Sequence, residues 1–255
     1  MSISSEKDAK RLLSLTIKIA KLMLSCGAEI YRVEDTINRI YKAFDNIKSI
    51  NVLVTYSFII VTFSYDGINY TTMRRIEIGE KNLEKISLVN DLSRKIVANT
   101  ITMKEAFVKL KEIKTKKSYP AWLTILALGV SSPFFAYLFG GTLKDAVPAF
   151  LVMVFVASFL VLTTRFRLME FLNNFLGTFL GTILVSILSK IIVIHNPTSI
   201  IIAIMMPLVP GVKVTNCVRD FLAGDYMSGV MGMISAVFIS IAIALGVIFG
   251  LRIFL

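Results

Sequence analysis

The residues best placed to do chemistry lie in one stretch near the C-terminal end of the sequence, residues 206–225. Pro207 and Pro210 each remove a backbone N–H donor, and Gly211 adds a flexible point. A helix passing through this stretch must therefore break, and the carbonyl groups it releases must find partners or line a wet cavity. Broken helices of this kind build substrate sites in transporters. The stretch predicts a solute-binding site.

Polar side chains follow the break directly. They are Lys213, Thr215, Asn216, Arg219 and Asp220. Lys213 and Asn216, then Asn216 and Asp220, are three and four residues apart, so a resumed helix places them on one face. Cationic, hydroxyl and amide groups suit a solute that carries a carboxylate. The alternative is a simple proline kink followed by a solvated loop, residues 213–225, with Arg219 and Asp220 paired locally.

A second group of charged residues lies in the N-terminal half, at the start of a predicted helix. It consists of Gly27, Glu29, Arg32 and Glu34. Two carboxylates near an arginine are able to do acid–base chemistry. The favoured interpretation is structural, because such residues more often cap a helix and pair with one another.

The sequence lacks the motifs of metal, nucleotide and catalytic sites. No metal-ligand cluster, nucleotide-binding glycine loop or nucleophile triad is present, so we expect no cofactor, no metal and no catalytic residue. Cys26 and Cys217 belong to no CxxC pair, which predicts thiols in a reducing compartment. The basic residues lack the interleaved aromatic residues of a nucleic-acid surface.

Charge divides the chain into two parts. Residues 1–119 hold 21 of the 28 Lys and Arg residues and 13 of the 17 Asp and Glu residues. The remaining 136 residues are too poor in charge to face water over their whole surface, so lipid must cover most of them. A lysine-rich run, residues 104–117, precedes the first apolar span and suits an anionic cytoplasmic leaflet.

Periodicity assigns elements to both parts. Residues 1–119 show two amphipathic helices, a small sheet with a hairpin turn at Asp66 and Gly67, and two more helices. We therefore predict an N-terminal cytosolic α+β domain, 1–119, and a membrane α-helical bundle, 120–255, of about five transmembrane helices. The predicted spans are residues 121–139, 146–163, 171–194, 200–214 and 227–251.

The distribution of basic residues in the loops predicts the orientation. The predicted inner loops carry Arg165, Arg167, Lys213 and Arg219, whereas the outer side carries Lys144, Lys190 and Arg252. Together with the lysine-rich run before the first span, this pattern favours a cytoplasmic N-terminus. We expect a multi-pass protein of the cell (inner or plasma) membrane.

Three ordered motifs resemble the threonine/serine exporter family, in particular its larger, YjjP-like half. They are residues 27–34, residues 138–145, and residues 207–211 followed by Asn216, Arg219, Asp220, Gly224, Asp225, Ser228 and Gly229. The resemblance covers nearly the whole chain. It implies export of threonine and serine, or of dicarboxylates such as succinate, driven by an ion gradient. Asp220 or Asp225 is then a candidate for coupling proton movement.

The same resemblance carries an expectation about partners. Full-length members fuse this half to a second set of about five helices, whereas this sequence stops at Leu255. It therefore implies a separate small YjjB-like membrane subunit, with hetero- or homo-oligomers in the lipid membrane. The leading hypothesis is a two-component secondary exporter of carboxylate-bearing metabolites and not an enzyme. The alternatives are a membrane-anchored, hydrolase-like enzyme using Glu29, Arg32 and Glu34, or a sensor.

Overall fold

The structure, a computed structural model, describes residues 2–76, 79, 81–164, 166 and 168–253. It divides into two compact units. Unit 1 comprises Met1–Ser118 and Thr215–Gly232, and unit 2 comprises Tyr119–Val214 and Met233–Leu255. The stretch Thr215–Gly232, which we call the return segment, thus belongs with the N-terminal part of the chain although it is distant in sequence.

The N-terminal part of unit 1 has the predicted order of two helices, a small sheet and two helices. Its elements are α1 (Glu6–Ser25), α2 (Ile30–Lys42), β1 (Ile47–Val54), β2 (Phe58–Tyr65), β3 (Ile68–Arg75), α3 (Leu83–Val97) and α4 (Met103–Thr115). The predicted α+β pattern is confirmed.

The sheet is an antiparallel meander in the order β1-β2-β3. Asp66 and Gly67, both with positive φ, form the predicted hairpin turn between β2 and β3. Alternate residues of β2 point to the core, where Ile59, Val61 and Phe63 are fully buried. The Phe63 ring lies 4.9 Å from that of Tyr41 on α2, so the helices cover one face of the sheet.

Local signals set the helix boundaries in unit 1. Gly27 ends α1 with φ +90°, a conformation that is strained for other residues. The Asn82 side chain accepts the Lys85 N–H at the start of α3, and Thr102 with Glu105 forms a capping box at the start of α4. Gly27 thus shapes the loop that follows α1, which carries part of the candidate site.

Unit 2 and the return segment contain the apolar helices. They are α5 (Ala121–Leu138), α6 (Ala146–Thr164), α7 (Glu170–Ile191), α8 (Pro197–Met205), α9 (Gly211–Leu222) and α10 (Tyr226–Arg252), with short 3-10 turns at Leu143–Asp145 and Met206–Leu208. Four spans of the described chain are long and apolar enough to cross a membrane: α5, α6 with the turn before it, α7 and α10. The bent pair Pro197–Leu208 and Gly211–Leu222 makes a fifth if it counts as one span.

Two details of the membrane half differ from the sequence prediction. The predicted connection after the fourth span, beginning at residue 213, is largely helical, because its spacing of apolar and polar residues suits an amphipathic helix. The third span ends at Ile191 instead of residue 194. Arg165 and Arg167, used to predict the orientation, lie outside the described residues.

Small residues allow close helix packing in unit 2. A Cβ on Gly246 of α10 would lie 2.0 Å from Thr178 Oγ1 and 2.6 Å from the Phe175 carbonyl oxygen of α7. The hydroxyl groups of Thr178 and Thr182 donate to carbonyls one turn earlier in α7, which satisfies them away from water. These contacts hold α10 against α7.

Asp145 joins two loops of unit 2. Its carboxylate accepts the Thr142 N–H at 2.8 Å and the His195 N–H at 2.9 Å, and the side chain is fully buried. Because a buried carboxylate needs hydrogen-bond donors, this residue of the second motif has a structural role. His195, the one histidine in the sequence, contributes its backbone to that contact.

Candidate functional site

The helix break lies where the prolines predict it. The α-helical bonds of α8 give way to a 3-10 turn at Met206–Leu208, and α9 begins at Gly211. The two helical parts are bent by 53°. Pro207 is half-buried and Pro210 is buried, while a Cβ on Gly211 would meet no atom within 4 Å. Alanine therefore fits at Gly211, and the bend follows from the prolines.

Lys213 lies in the first turn of α9 and is 8% exposed. Its Nζ donates to Glu170 Oε2 at 2.5 Å and lies 3.5 Å from Ser235 Oγ. The Glu170 side chain, in contrast, is 58% exposed. The ammonium group is thus fixed inside unit 2, and its carboxylate partner is the one with freedom to move.

The next two predicted residues, Asn216 and Arg219, contact the loop after α1 within unit 1. Asn216 Nδ2 donates to the Gly27 carbonyl oxygen at 3.3 Å. Arg219 Nη1 donates to Glu29 Oε1, and Arg32 Nε lies 3.8 Å from Glu29 Oε2. Glu29 is buried, so the arginines compensate its charge.

These contacts bear on both local alternatives from the sequence. Arg219 pairs with Glu29, 190 residues away in the chain, and not with the adjacent Asp220. Glu29 stands at the N-cap position of α2, yet its side chain makes no capping hydrogen bond. The Ile30 N–H at this helix start is directed instead at the Asp220 carboxylate of the return segment.

Carboxylates gather around the return segment. Asp220 is 1% exposed, and its Oδ1 has no hydrogen-bond donor among the residues the structure describes. Glu34 Oε1 accepts the Val54 N–H at 2.8 Å. Burial raises the pKa of Glu34 despite that hydrogen bond, and the nearby charges of Asp225 and Asp220 raise it further.

This acidic group does not have the geometry of a metal site. Over residues 2–76, 79, 81–164, 166 and 168–253, no three His, Cys, Asp or Glu side chains are arranged to hold a metal ion. The raised pKa of Glu34 instead favours proton binding by the Glu34 carboxylate.

Cys217 anchors the return segment in unit 1. It is fully buried. A Cβ on Gly232 would lie 2.4 Å from Cys217 Sγ and 3.0 Å from the Tyr56 ring. Glycine at position 232 is therefore required for the start of α10, α9 and the β1–β2 loop to pack this closely.

The structure thus places the predicted site residues in two groups. Lys213 belongs to unit 2 with Glu170 and Ser235, whereas Asn216, Arg219, Asp220 and Asp225 belong to unit 1 with Gly27, Glu29, Arg32 and Glu34. Sequence reasoning missed Glu170 and Tyr56. For Glu170, a signal was available: it is one of four acidic residues after position 119.

Comparison with known proteins identifies the family. A family model described as "Putative threonine/serine exporter" matches residues 14–254. The chain belongs to the threonine/serine exporter family. The match spans both units and all three motifs, so the resemblance found in the sequence is confirmed.

Two curated relatives in this exporter family share low identity over long alignments. A Klebsiella aerogenes protein named "Probable succinate transporter subunit YjjP" is 23% identical over 96% of this chain and 95% of its own length. A Mycobacterium tuberculosis protein named "Probable threonine/serine exporter" is 22% identical over 95% of this chain. The chain spans 46% of that second relative.

No solved structure matches this exporter-family chain. Membership, together with four or five apolar spans, makes it a multi-pass membrane protein of a transporter family.

Proposed function

We propose that the chain is one subunit of a secondary transporter that exports small carboxylate-bearing metabolites across the cell membrane. Family membership supports transport. The choice of a carboxylate-bearing solute rests on Lys213. Its ammonium group is buried two residues after the start of α9 and is paired with the mostly exposed Glu170.

The Lys213–Glu170 pair suits exchange with a solute. A solute carboxylate that replaces Glu170 keeps the Lys213 charge paired, so the cost of leaving a buried charge alone is avoided. The N–H groups in the first turn of α9 also favour an anion. Glu170, displaced into solvent, becomes available for a positive group on the same solute.

This arrangement favours an amino-acid zwitterion over a dicarboxylate. Threonine and serine carry both an ammonium group for Glu170 and a carboxylate for Lys213, whereas a second carboxylate meets repulsion from Glu170. We therefore propose threonine or serine as the primary solutes, with succinate-like dicarboxylates as the alternative.

We assign the return segment to coupling and gating. Protonation of the Asp220 carboxylate would remove a buried charge whose Oδ1 accepts no hydrogen bond from the described residues, and burial raises the pKa of the nearby Glu34 carboxyl. The charge of Asp225 raises the pKa of Glu34 further. Direct contact of Asn216 or Arg219 with solute stays a prediction, since both side chains have partners in unit 1.

We further propose that transport needs a small YjjB-like membrane subunit and that the N-terminus is cytoplasmic. The Klebsiella relative, matched almost end to end, is named as a subunit. The lysine-rich run before α5 supports the orientation.

Efflux of radiolabelled serine, threonine and succinate from cells that co-express both subunits tests these assignments. Lys213→Gln is expected to lower efflux at least tenfold, since a hydrogen bond to a charged group is worth about 1.5–3 kcal/mol. Folding should be little affected, because Glu170 is mostly exposed. Lys144→Gln, an exposed lysine in another loop, should stay within about twofold of wild type.

The same assay separates the solute classes. Glu170→Gln should reduce serine efflux more than succinate efflux. Equal reduction of both solutes would refute the zwitterion assignment, and normal efflux by Lys213→Gln would refute the site.

An enzyme in the soluble part has less support. Glu29 and Glu34, its expected acid and base, are engaged with Arg219 and with the Val54 N–H. Substrate turnover by the purified chain without transport would favour that alternative.

A further inference from the structure

A groove on unit 1 lies between α1 and α4, away from the carboxylate group. Its volume is about 480 Å³, within the range of small-molecule sites. The apolar side chains that line it are Leu22, Phe107, Val108 and Leu110. Leu22 and Leu110 are buried at its floor, and Val108 is 57% exposed on its wall.

Four lysines line the same groove. They are Lys18 and Lys21 of α1 and Lys111 and Lys114 of α4. In the part of the chain that the structure describes, none of the four forms an ion pair with a carboxylate. Lys18 Nζ lies over the Phe107 ring at 5.0 Å from its centroid. The groove therefore combines uncompensated positive charge with an apolar floor, which suits an anionic amphiphile.

The position of α4 in the chain, directly before a candidate membrane span, favours a membrane lipid as the amphiphile. Residues 116–120, including two further lysines, are all that separates α4 from the candidate span α5. Two of the groove's lysines, Lys111 and Lys114, therefore belong to the stretch directly before this candidate span, and Lys18 and Lys21 of α1 line the groove with them. The choice of a lipid as the ligand rests on the proposal that α5 lies in the membrane. We propose that the groove binds an anionic phospholipid, with its phosphate among the lysines and an acyl chain along Leu22, Phe107 and Leu110.

Native mass spectrometry of the full chain in detergent tests this proposal. Added phosphatidylglycerol should bind in preference to phosphatidylcholine. Each lysine near an anionic headgroup contributes about fivefold in affinity, so Lys18→Gln with Lys111→Gln should weaken phosphatidylglycerol binding by about 25-fold. The matched control is Lys42→Gln with Lys48→Gln, which removes the same charge from exposed lysines on α2 and β1.

A second pair of variants tests the apolar part. Val108→Asn should weaken binding severalfold, whereas Val97→Asn, an exposed valine on α3, should not. A phosphatidylglycerol with a photoreactive acyl chain should label the peptide that contains Phe107 and Val108. Both valines are exposed, so neither substitution is expected to unfold the chain.

Several outcomes overturn the proposal. They are equal binding of the two lipids, equal losses in the groove and control lysine variants, and labelling confined to residues 121–253. Displacement of bound lipid by a soluble acidic peptide at equal concentration would assign the groove to a protein partner instead. None of these results depends on solute efflux, so they leave the transport proposal intact.

Discussion

The contact between Arg219 and Glu29 should hold the return segment in unit 1, and Arg219→Gln should weaken that attachment. Glu29 is 8% exposed in its side chain and Arg219 is 53% exposed. A charged hydrogen bond contributes about 1.5–3 kcal/mol. Half-exposure of the arginine reduces this to about 1.4 kcal/mol, which is a tenfold change in an opening equilibrium.

Maleimide labelling of Cys217 measures that equilibrium. The thiol is fully buried beside Tyr56 and Gly232, so it reacts only when the segment opens, provided that reclosing is faster than labelling. Cys26→Ser removes the second buried thiol from the readout. In this background, Arg219→Gln should label about ten times faster than the parent.

Two comparisons make the test specific. Arg32 also lies near Glu29 but belongs to the same helix start, so Arg32→Gln should change the labelling rate by less than about twofold. In a Glu29→Gln background, Arg219→Gln should lose most of its effect. An unchanged rate for Arg219→Gln, or an equal effect in both backgrounds, would refute the reasoning.

Three further predictions concern packing and ionisation. Gly232→Ala should speed Cys217 labelling more than tenfold, because its Cβ would lie 2.4 Å from Cys217 Sγ, whereas Gly211→Ala, with no atom within 4 Å, should match wild type. Gly246→Ala should lower the midpoint of thermal unfolding in detergent by several degrees, because the added methyl group forces α10 from α7; an unchanged midpoint would contradict the packing. The pKa of Glu34 is raised above its ordinary value of 4.5, so ionised Glu34 opposes folding. This penalty is absent below pH 4.5 and complete above the folded-state pKa. Glu34→Gln should therefore stabilise the chain increasingly, relative to wild type, as the pH rises from 4 to 8, and a constant difference would argue against the shift.

The sequence predicts well the features that depend on neighbouring residues. Asp66 and Gly67 give the hairpin because both adopt positive φ. Pro207 and Pro210 give the break because each lacks a donor.

Features that depend on distant residues escape such reasoning. Glu29 and Arg219 pair across 190 positions, and Lys213 with Glu170 across 43. Hydrophobic periodicity reports which face of a helix is buried but not which charged residue it meets. The packing of the return segment escapes prediction for the same reason, since Gly232 lies against Tyr56, which is far away in sequence.

Transport by purified protein in liposomes tests the central claim most directly. Liposomes loaded with serine, threonine or succinate would hold this chain alone, the small partner subunit alone, or both. The account predicts solute release driven by an ion gradient only when both are present, and its loss with Lys213→Gln but not Lys144→Gln. No release of any of the three solutes from liposomes holding both correctly inserted subunits would contradict it.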